Sequence, residues 1–280
     1  MEDGTEDRLS GMLEHPEKPI PGGPVVVIIH GLTGCEESFH VRDAARYFVS
    51  CGLRVLRLNL RGAGPSRPDC MQTYHAGRSA DLEAVLDQLM ASGTAEKFVL
   101  FGVSLGGNMM LKYLGEKSRP HVAAAISVSA PIDLARSSER FIQPRNRFYH
   151  SWLLKIMKRQ ALATPGLSAR ELSAIQHVRT IVEYDERHIA VRDGFDSARD
   201  YYTKSSAKGF LQGIRVPTLV VHALNDPWIP GKIYLDVDWT GNPALTPLLP
   251  FDGGHVGFHD RDGNWHFRMA EKFLEDRNIL

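Results

Sequence analysis

The sequence predicts an α/β protein, a mostly parallel sheet flanked by helices, with a helical segment inserted after the strand at 122–130. Three observations lead there. Five short runs rich in β-branched apolar residues read as strands buried on both faces, at 24–31, 53–60, 97–102, 122–130 and 218–224. Stretches of helical period lie between the first four, at 41–50, 79–92 and 107–117. The alternation then breaks over 131–216, which carries no convincing strand and is too long for a plain connection. The chain therefore divides into a core, 1–130 with 217–280, and a helical cap or lid, 131–216.

Each element has a local reason. PVVVIIHG (24–31) is a continuous apolar run closed by glycine, and LRVLRLNL, KFVLFG and VAAAISVSA repeat that pattern. VRDAARYFVS, SADLEAVLDQLMAS and GNMMLKYLGEK each place apolar residues along one helical face. After the insertion, TLVVHAL (218–224) and TPLLPF (246–251) read as two more strands, and HFRMAEKFLEDR (266–277) as a closing helix.

Composition narrows the function. The 280 residues are 43% hydrophobic, enough for a sizeable core. Lys+Arg and Asp+Glu both total 33, so nothing draws the whole protein to nucleic acid, and no nucleic-acid partner is expected. Cys35, Cys51 and Cys70 are odd in number without metal-type spacing, and read as structural thiols. The acidic start MEDGTEDRLSGMLEHPEKP has no apolar signal core, and no run approaches membrane-span length. A soluble, cytoplasmic protein is expected.

Within the insertion, Phe141, Phe148, Tyr149, Trp152, Leu153, Ile156 and Met157 fall on one face of helical period. Seven basic residues lie between Arg136 and Arg159 against the single acid Glu139. Two readings stay open: the stripe packs on the body of the protein, or the cap makes peripheral lipid contact with its basic flank toward anionic headgroups.

The chemistry centres on FGVSLGGNM, where Gly102-Val103-Ser104-Leu105-Gly106 forms G-x-S-x-G between a strand and a helix. A tight turn there lifts the Ser104 hydroxyl clear of the sheet, and the small residues let strand and helix approach closely. The free amide of Leu105 at the helix start is one expected oxyanion donor, and that of Leu32, in HGLTG after the first run, is the other. Serine needs a histidine base oriented by an acid. Asp226 in HALNDPW and His255 in DGGHVGF follow late strands in the order Ser, acid, His. Asp133 is the rival acid and His259 the rival base, while His30 and His222 read as structural. His255 and His259 have a zinc-like spacing, but the preceding Gly-Gly indicates a loop and no Glu follows His255. His255 and Asp260 also form H-x-x-x-x-D, an acyltransferase-like pattern that two residues five apart produce by coincidence.

Together HGLTG, NLRGAGPS, GVSLGGN, ARDYYTKSSAKGFLQGIRVPTLVVHALNDPW and DGGHVGF resemble the YheT-type bacterial and ABHD-type animal lipid hydrolases of the α/β-hydrolase superfamily. The likeness runs from about residue 20 onward. It implies the α/β-hydrolase fold, with Ser104 as nucleophile, Asp226 as acid and His255 as base, acting on carboxylic esters. The start departs from the pattern: RLSGMLEHP (8–16) supplies a single edge strand, so fewer strands than the family's usual eight are expected. The expected function is a serine esterase acting on a small-molecule acyl ester with no cofactor and no metal. An acyltransferase or thioesterase using the same residues is the alternative within enzymes, and a non-catalytic ligand-binding protein is the alternative outside them.

Overall fold

The computed structural model describes Met1 and residues 3–280. Its main sheet has seven strands: β1 Gly11–Glu14, β2 Val25–Ile29, β3 Arg54–Leu58, β4 Phe98–Val103, β5 Val122–Val128, β6 Thr218–Val221 and β7 Leu245–Leu248. They lie in the order β1-β3-β2-β4-β5-β6-β7. Only β1 runs antiparallel, pairing Gly11 with Leu58 at the edge, as the short segment before the first apolar run suggested.

The core follows from the two-residue period of the strands. In β2, Val25, Val27 and Ile29 face one hydrophobic layer, which includes Leu82 and Leu86 of α2 (Ser79–Ala91) and Met110 and Leu111 of α3 (Leu105–Glu116). Val26 and Ile28 face the other, against Val41, Ala44 and Phe48 of α1 (Phe39–Ser50) and against Phe267 and Leu274 of the C-terminal helix. All five β2 residues are fully buried, and each such side chain contributes roughly 1.5–3 kcal/mol. Near the β1 edge, Arg61 is wholly buried, held at 2.8 Å by Asp7 and at 2.6 Å by both Asp3 and Asp81. That cluster ties the N-terminal segment to the loop after β3. Burial opposes the guanidinium charge, but the three carboxylates outweigh it and raise its pKa.

Between β5 and β6 the chain is helical: α4 Leu134–Phe141, α5 Arg147–Leu162, α6 Ala169–His177, α7 Ile181–Tyr184, α8 Ala190–Asp193 and α9 Ala198–Ser205. Side chains start several of these. Asp133 caps α4 by accepting from the Arg136 amide, and Ser168 forms a capping box with Glu171 on α6. A π-helical turn, Asp185–Ile189, joins α7 to α8. These helices share a core of their own, including Leu154, Met157, Ile175, Tyr184 and Tyr202, which meets the sheet domain at Leu105 and Ala76.

The apolar stripe expected on one helix is split. Pro144 lacks an amide proton and sits in a 3-10 turn that separates α4 from α5, so Phe141 ends one helix and the other six residues belong to the next. The buried face of α5 is His150, Leu154, Met157 and Ala161. Phe141 and Met157 are buried, but Trp152 remains 58% exposed and Phe148 80%, so packing on the body accounts for only part of the stripe.

Helix α10 (Lys232–Leu235) follows β6, a two-stranded hairpin of β8 (His259–Asp260) and β9 (Gly263–Asn264) follows β7, and α11 (Trp265–Glu275) closes the chain. Among the described residues, no helix is long and apolar enough to cross a membrane.

Candidate active site

Ser104 occupies the single residue between β4 and α3, with φ 51° and ψ −122°. A non-glycine residue in that region is strained, and the surrounding glycines explain how it is held. A Cβ at Gly106 would come within 2.4 Å of the His30 and Ile29 carbonyl oxygens, and one at Gly102 within 2.7 Å of the Gly107 Cα. No side chain fits there, so strand and helix close on each other and turn Ser104 outward. The Ser104 amide donates to the Val128 carbonyl at 2.8 Å, fixing the turn to β5.

Asp226 lies beyond the end of β6, its side chain fully buried. One carboxylate oxygen accepts from the amides of Trp228 at 2.8 Å and Ile229 at 3.1 Å, which orients the other toward His255. His255 follows β7 in a loop held by Asn225, which accepts from the Gly254 amide at 2.9 Å and donates to Asp252 at 2.8 Å. The His255 Nδ1–H donates to Asp226 Oδ2 at 2.8 Å, leaving Nε2 to accept from the Ser104 hydroxyl at 3.1 Å. The Trp228 ring lies 4.5 Å from the imidazole and shields it on one side. Three residues far apart in sequence thus form one hydrogen-bonded chain from carboxylate to hydroxyl.

The loop after β2 packs directly on Ser104, since a Cβ at Gly31 would lie 3.1 Å from that of Ser104. His30 holds this loop: its Nδ1–H donates to the Gly31 carbonyl at 2.8 Å and its Nε2 accepts from the Leu60 amide at 3.1 Å. Burial pushes its pKa down to about 4, so it stays neutral, a structural residue as expected. Leu32 and Leu105 line the same cavity as Ser104, and among the described residues neither amide has a protein acceptor.

The rivals lie elsewhere in the network. Asp133 is engaged as the cap of α4, with Lys208 at 3.6 Å. His259 is exposed on the β8–β9 hairpin. His222 stacks on Tyr234 at 4.0 Å and is held neutral by burial, its pKa lowered to about 4.

Several side chains around the cavity escaped the sequence reading. Tyr74 accepts from the Thr33 amide at 2.7 Å, and Gln160 of α5 donates to the Thr33 carbonyl at 3.1 Å, so the inserted helices brace the loop that carries Leu32. His40 lines the cavity, its pKa pushed down to about 4 by burial and by the nearby His255. The cavity itself measures about 650 Å³ and joins Ser104 and His255 to Tyr149, Trp152, Leu153 and Ile156 of α5. Asp185, Tyr201 and Tyr202 also line it. Tyr201 and Tyr202 lie in the ARDYYTKSSAKGFLQGIRVPTLVVHALNDPW segment, while no motif marks Asp185.

Comparison with known proteins gives the same picture of the fold. A family model described as the alpha/beta hydrolase fold matches residues 24–262. A monoacylglycerol lipase of Saccharomyces cerevisiae is 32% identical over 266 residues, covering 90% of this chain and 59% of the relative. The putative esterase YheT of Escherichia coli is 30% identical over 240 residues, covering 84% and 70%. The phospholipase ABHD3 of Mus musculus is 26% identical over 246 residues, covering 86% and 59%. The chain thus spans less than two thirds of the yeast and mouse relatives. Among solved structures, Est1E from Butyrivibrio proteoclasticus matches with a TM-score of 0.62 at 18% identity, over 99% of this chain and 98% of that one. The Pyrococcus furiosus esterase Pf2001 matches with 0.64 at 16%, over 97% and 88%. At such identities these two speak for the fold alone.

Proposed function

The chain belongs to the alpha/beta hydrolase fold family, and from that premise we propose that it is a serine hydrolase of carboxylic esters, working through an acyl-enzyme on Ser104. One observation carries the reading: the continuous Asp226–His255–Ser104 relay at 2.8 and 3.1 Å, opening on a largely apolar cavity. The likeness to a monoacylglycerol lipase, a putative esterase and a phospholipase supports esters of lipid type as substrates.

In the proposed cycle His255 Nε2 takes the Ser104 proton as the hydroxyl attacks the ester carbonyl, and Asp226 stabilises the imidazolium. The Leu32 and Leu105 amides hold the oxyanion, each contributing about 10²–10³ in rate. The tetrahedral intermediate collapses as His255 protonates the leaving alcohol. Water then attacks the acyl-enzyme with His255 again as base, releasing the acid. Residues 131–216 serve as the cap over the 1–130 and 217–280 core. The exposed Phe148 and Trp152, set among basic residues of α5, offer the cap's contact with lipid.

Incubation with a fluorophosphonate and hydrolysis of p-nitrophenyl esters test this. Wild type takes the label at Ser104 and turns over the esters, while Ser104→Ala loses both, with a rate drop on the order of 10⁴–10⁶. Undiminished hydrolysis by Ser104→Ala defeats the assignment. Transfer of the acyl group to an added alcohol in preference to water, read by product mass spectrometry, would reassign the enzyme as an acyltransferase.

A further inference from the structure

Asp185 is a buried acid in the active-site cavity that the proposed chemistry does not use. It is the first residue of the π-helical turn, a backbone form found disproportionately at functional sites. The Tyr202 hydroxyl, from α9, donates to its Oδ2 at 2.6 Å, and Ser138 of α4 comes against Tyr202. Among the described residues its other oxygen has no protein partner, and no Lys, Arg or His pairs with the carboxyl. Tyr184 and Tyr201 lie near it and line the same cavity.

A lone carboxyl placed there serves no evident packing purpose, because an apolar residue would fill the space without a desolvation cost. Resting on the hydrolase reading above, we propose that Asp185, held by Tyr202, is a specificity-determining subsite that recognises a free hydroxyl on the ester substrate, so that hydroxyl-bearing neutral esters are preferred over plain alkyl esters. The hydrogen bonding sets the class. Tyr202 gives its proton to Oδ2, so in a residue that lines the cavity Oδ1 is left as an acceptor when the acid is ionised and as a donor when it is protonated. Burial pushes this acid up to about 7, making both forms available at neutral pH. A hydroxyl both donates and accepts, and so satisfies Oδ1 in either form. An anionic group would meet repulsion from the ionised form, and an apolar group leaves Oδ1 unpaired. The hydroxyl has two sources, the alcohol or the acyl chain.

The test compares kcat/KM for four butyrates: 1-monobutyrin, ethyl 3-hydroxybutyrate, ethyl butyrate and butyrylcholine. Wild type is expected to favour one of the hydroxyl esters over ethyl butyrate by about tenfold or more, because a buried polar group left unpaired discriminates strongly. Preference for monobutyrin locates the hydroxyl on the alcohol, and preference for the hydroxybutyrate on the acyl chain. In Asp185→Leu the ratio falls to near one, while Asp185→Asn, which still donates and accepts, retains most of it. Fluorophosphonate labelling of Ser104 checks that each variant is folded. Should Asp185→Leu not label, Tyr202→Phe replaces it, and the ratio is expected to drop several-fold. Equal turnover of hydroxyl and plain esters by wild type, a ratio unchanged in the variants, or selective loss of butyrylcholine each overturns the proposal. Wild type that hydrolyses none of the four and takes no label at Ser104 defeats the hydrolase reading itself; turnover of all four alike defeats only the hydroxyl subsite.

Discussion

Replacing Asp185 with Asn makes the fold more stable, and by an amount that depends on pH. Burial pushes the Asp185 carboxyl up to about 7 from the ordinary 3.8, outweighing the Tyr202 hydrogen bond that acts the other way. Between those values the folded chain keeps a proton that the unfolded chain has released, so stability falls as pH rises from about 4 to about 7 and then levels off. The gap corresponds to roughly 4 kcal/mol at the plateau, since each tenfold in proton affinity is worth about 1.4 kcal/mol. Asn keeps a carbonyl oxygen for the Tyr202 hydroxyl and has nothing to ionise. Urea unfolding at pH 5 and at pH 8 separates the cases, because less than half of that penalty has developed at the lower pH. The stability advantage of Asp185→Asn should be about 2–3 kcal/mol larger at pH 8 than at pH 5. The same advantage at both pH values, or a variant less stable than wild type at pH 8, would refute the argument that this acid is buried without a compensating charge.

Other consequences follow from the same coordinates. In Asp226→Asn the Trp228 and Ile229 amides hold the carbonyl oxygen and an NH2 donor faces His255, favouring the wrong tautomer, and in the serine-protease template the equivalent change costs about 10⁴ in kcat; Asp133→Asn should stay within a few-fold of wild type, and a reversed outcome in an ester-hydrolysis assay would move the acid's role to Asp133. Gly106→Ala forces a Cβ to within 2.4 Å of two carbonyl oxygens, so a loss of about 1–3 kcal/mol or more is expected in denaturant unfolding, with disrupted Ser104 labelling. Phe148→Asp should weaken cosedimentation with vesicles containing anionic lipid by about tenfold, from the lost insertion of one aromatic side chain, and should leave p-nitrophenyl acetate hydrolysis in solution nearly unchanged. Equal cosedimentation of the two proteins would exclude this face as the lipid contact.

What could be read from the sequence divides along a physical line. The strands were legible because residues buried on both faces of a parallel sheet must all be apolar, as in VVVII; the single edge strand expected in 8–16 is β1, whose antiparallel direction the sequence did not reveal. Ser104, Asp226 and His255 were legible because a doubly wound sheet gathers its functional groups at one edge, so position after a strand predicts convergence. The inserted helices follow no such rule. The stripe from Phe141 to Met157 has helical period in the sequence, yet Pro144 divides it, and α5 then turns a different set of residues inward. Asp185 sits in EYDERH, which reads as a solvated charged stretch, and only a π-helical turn and the approach of α9 bury it. Contacts between helices depend on crossing geometry, which short-range periodicity does not encode.

A bond-breaking core with an interchangeable selector would be the simplest interpretation, but the contact between α5 and the loop after β2 argues against full independence. The Gln160 amide donates to the Thr33 carbonyl at 3.1 Å, one residue from the Leu32 amide, and Thr33 itself has a positive φ of 61°. The same loop is held from the core side by Tyr74 and by the neutral His30. Displacing α5 therefore removes one of three restraints on a strained loop, and a strained loop relaxes toward ordinary backbone angles once its restraints weaken. Under the proposed reading of residues 131–216 as a cap, opening of these helices would loosen the proposed Leu32 donor and closure would restore it. Gln160 would then link the position of α5 to the proposed oxyanion site, so an exchange of residues 131–216 that loses the hydrogen bond to Thr33 is expected to change kcat as well as KM.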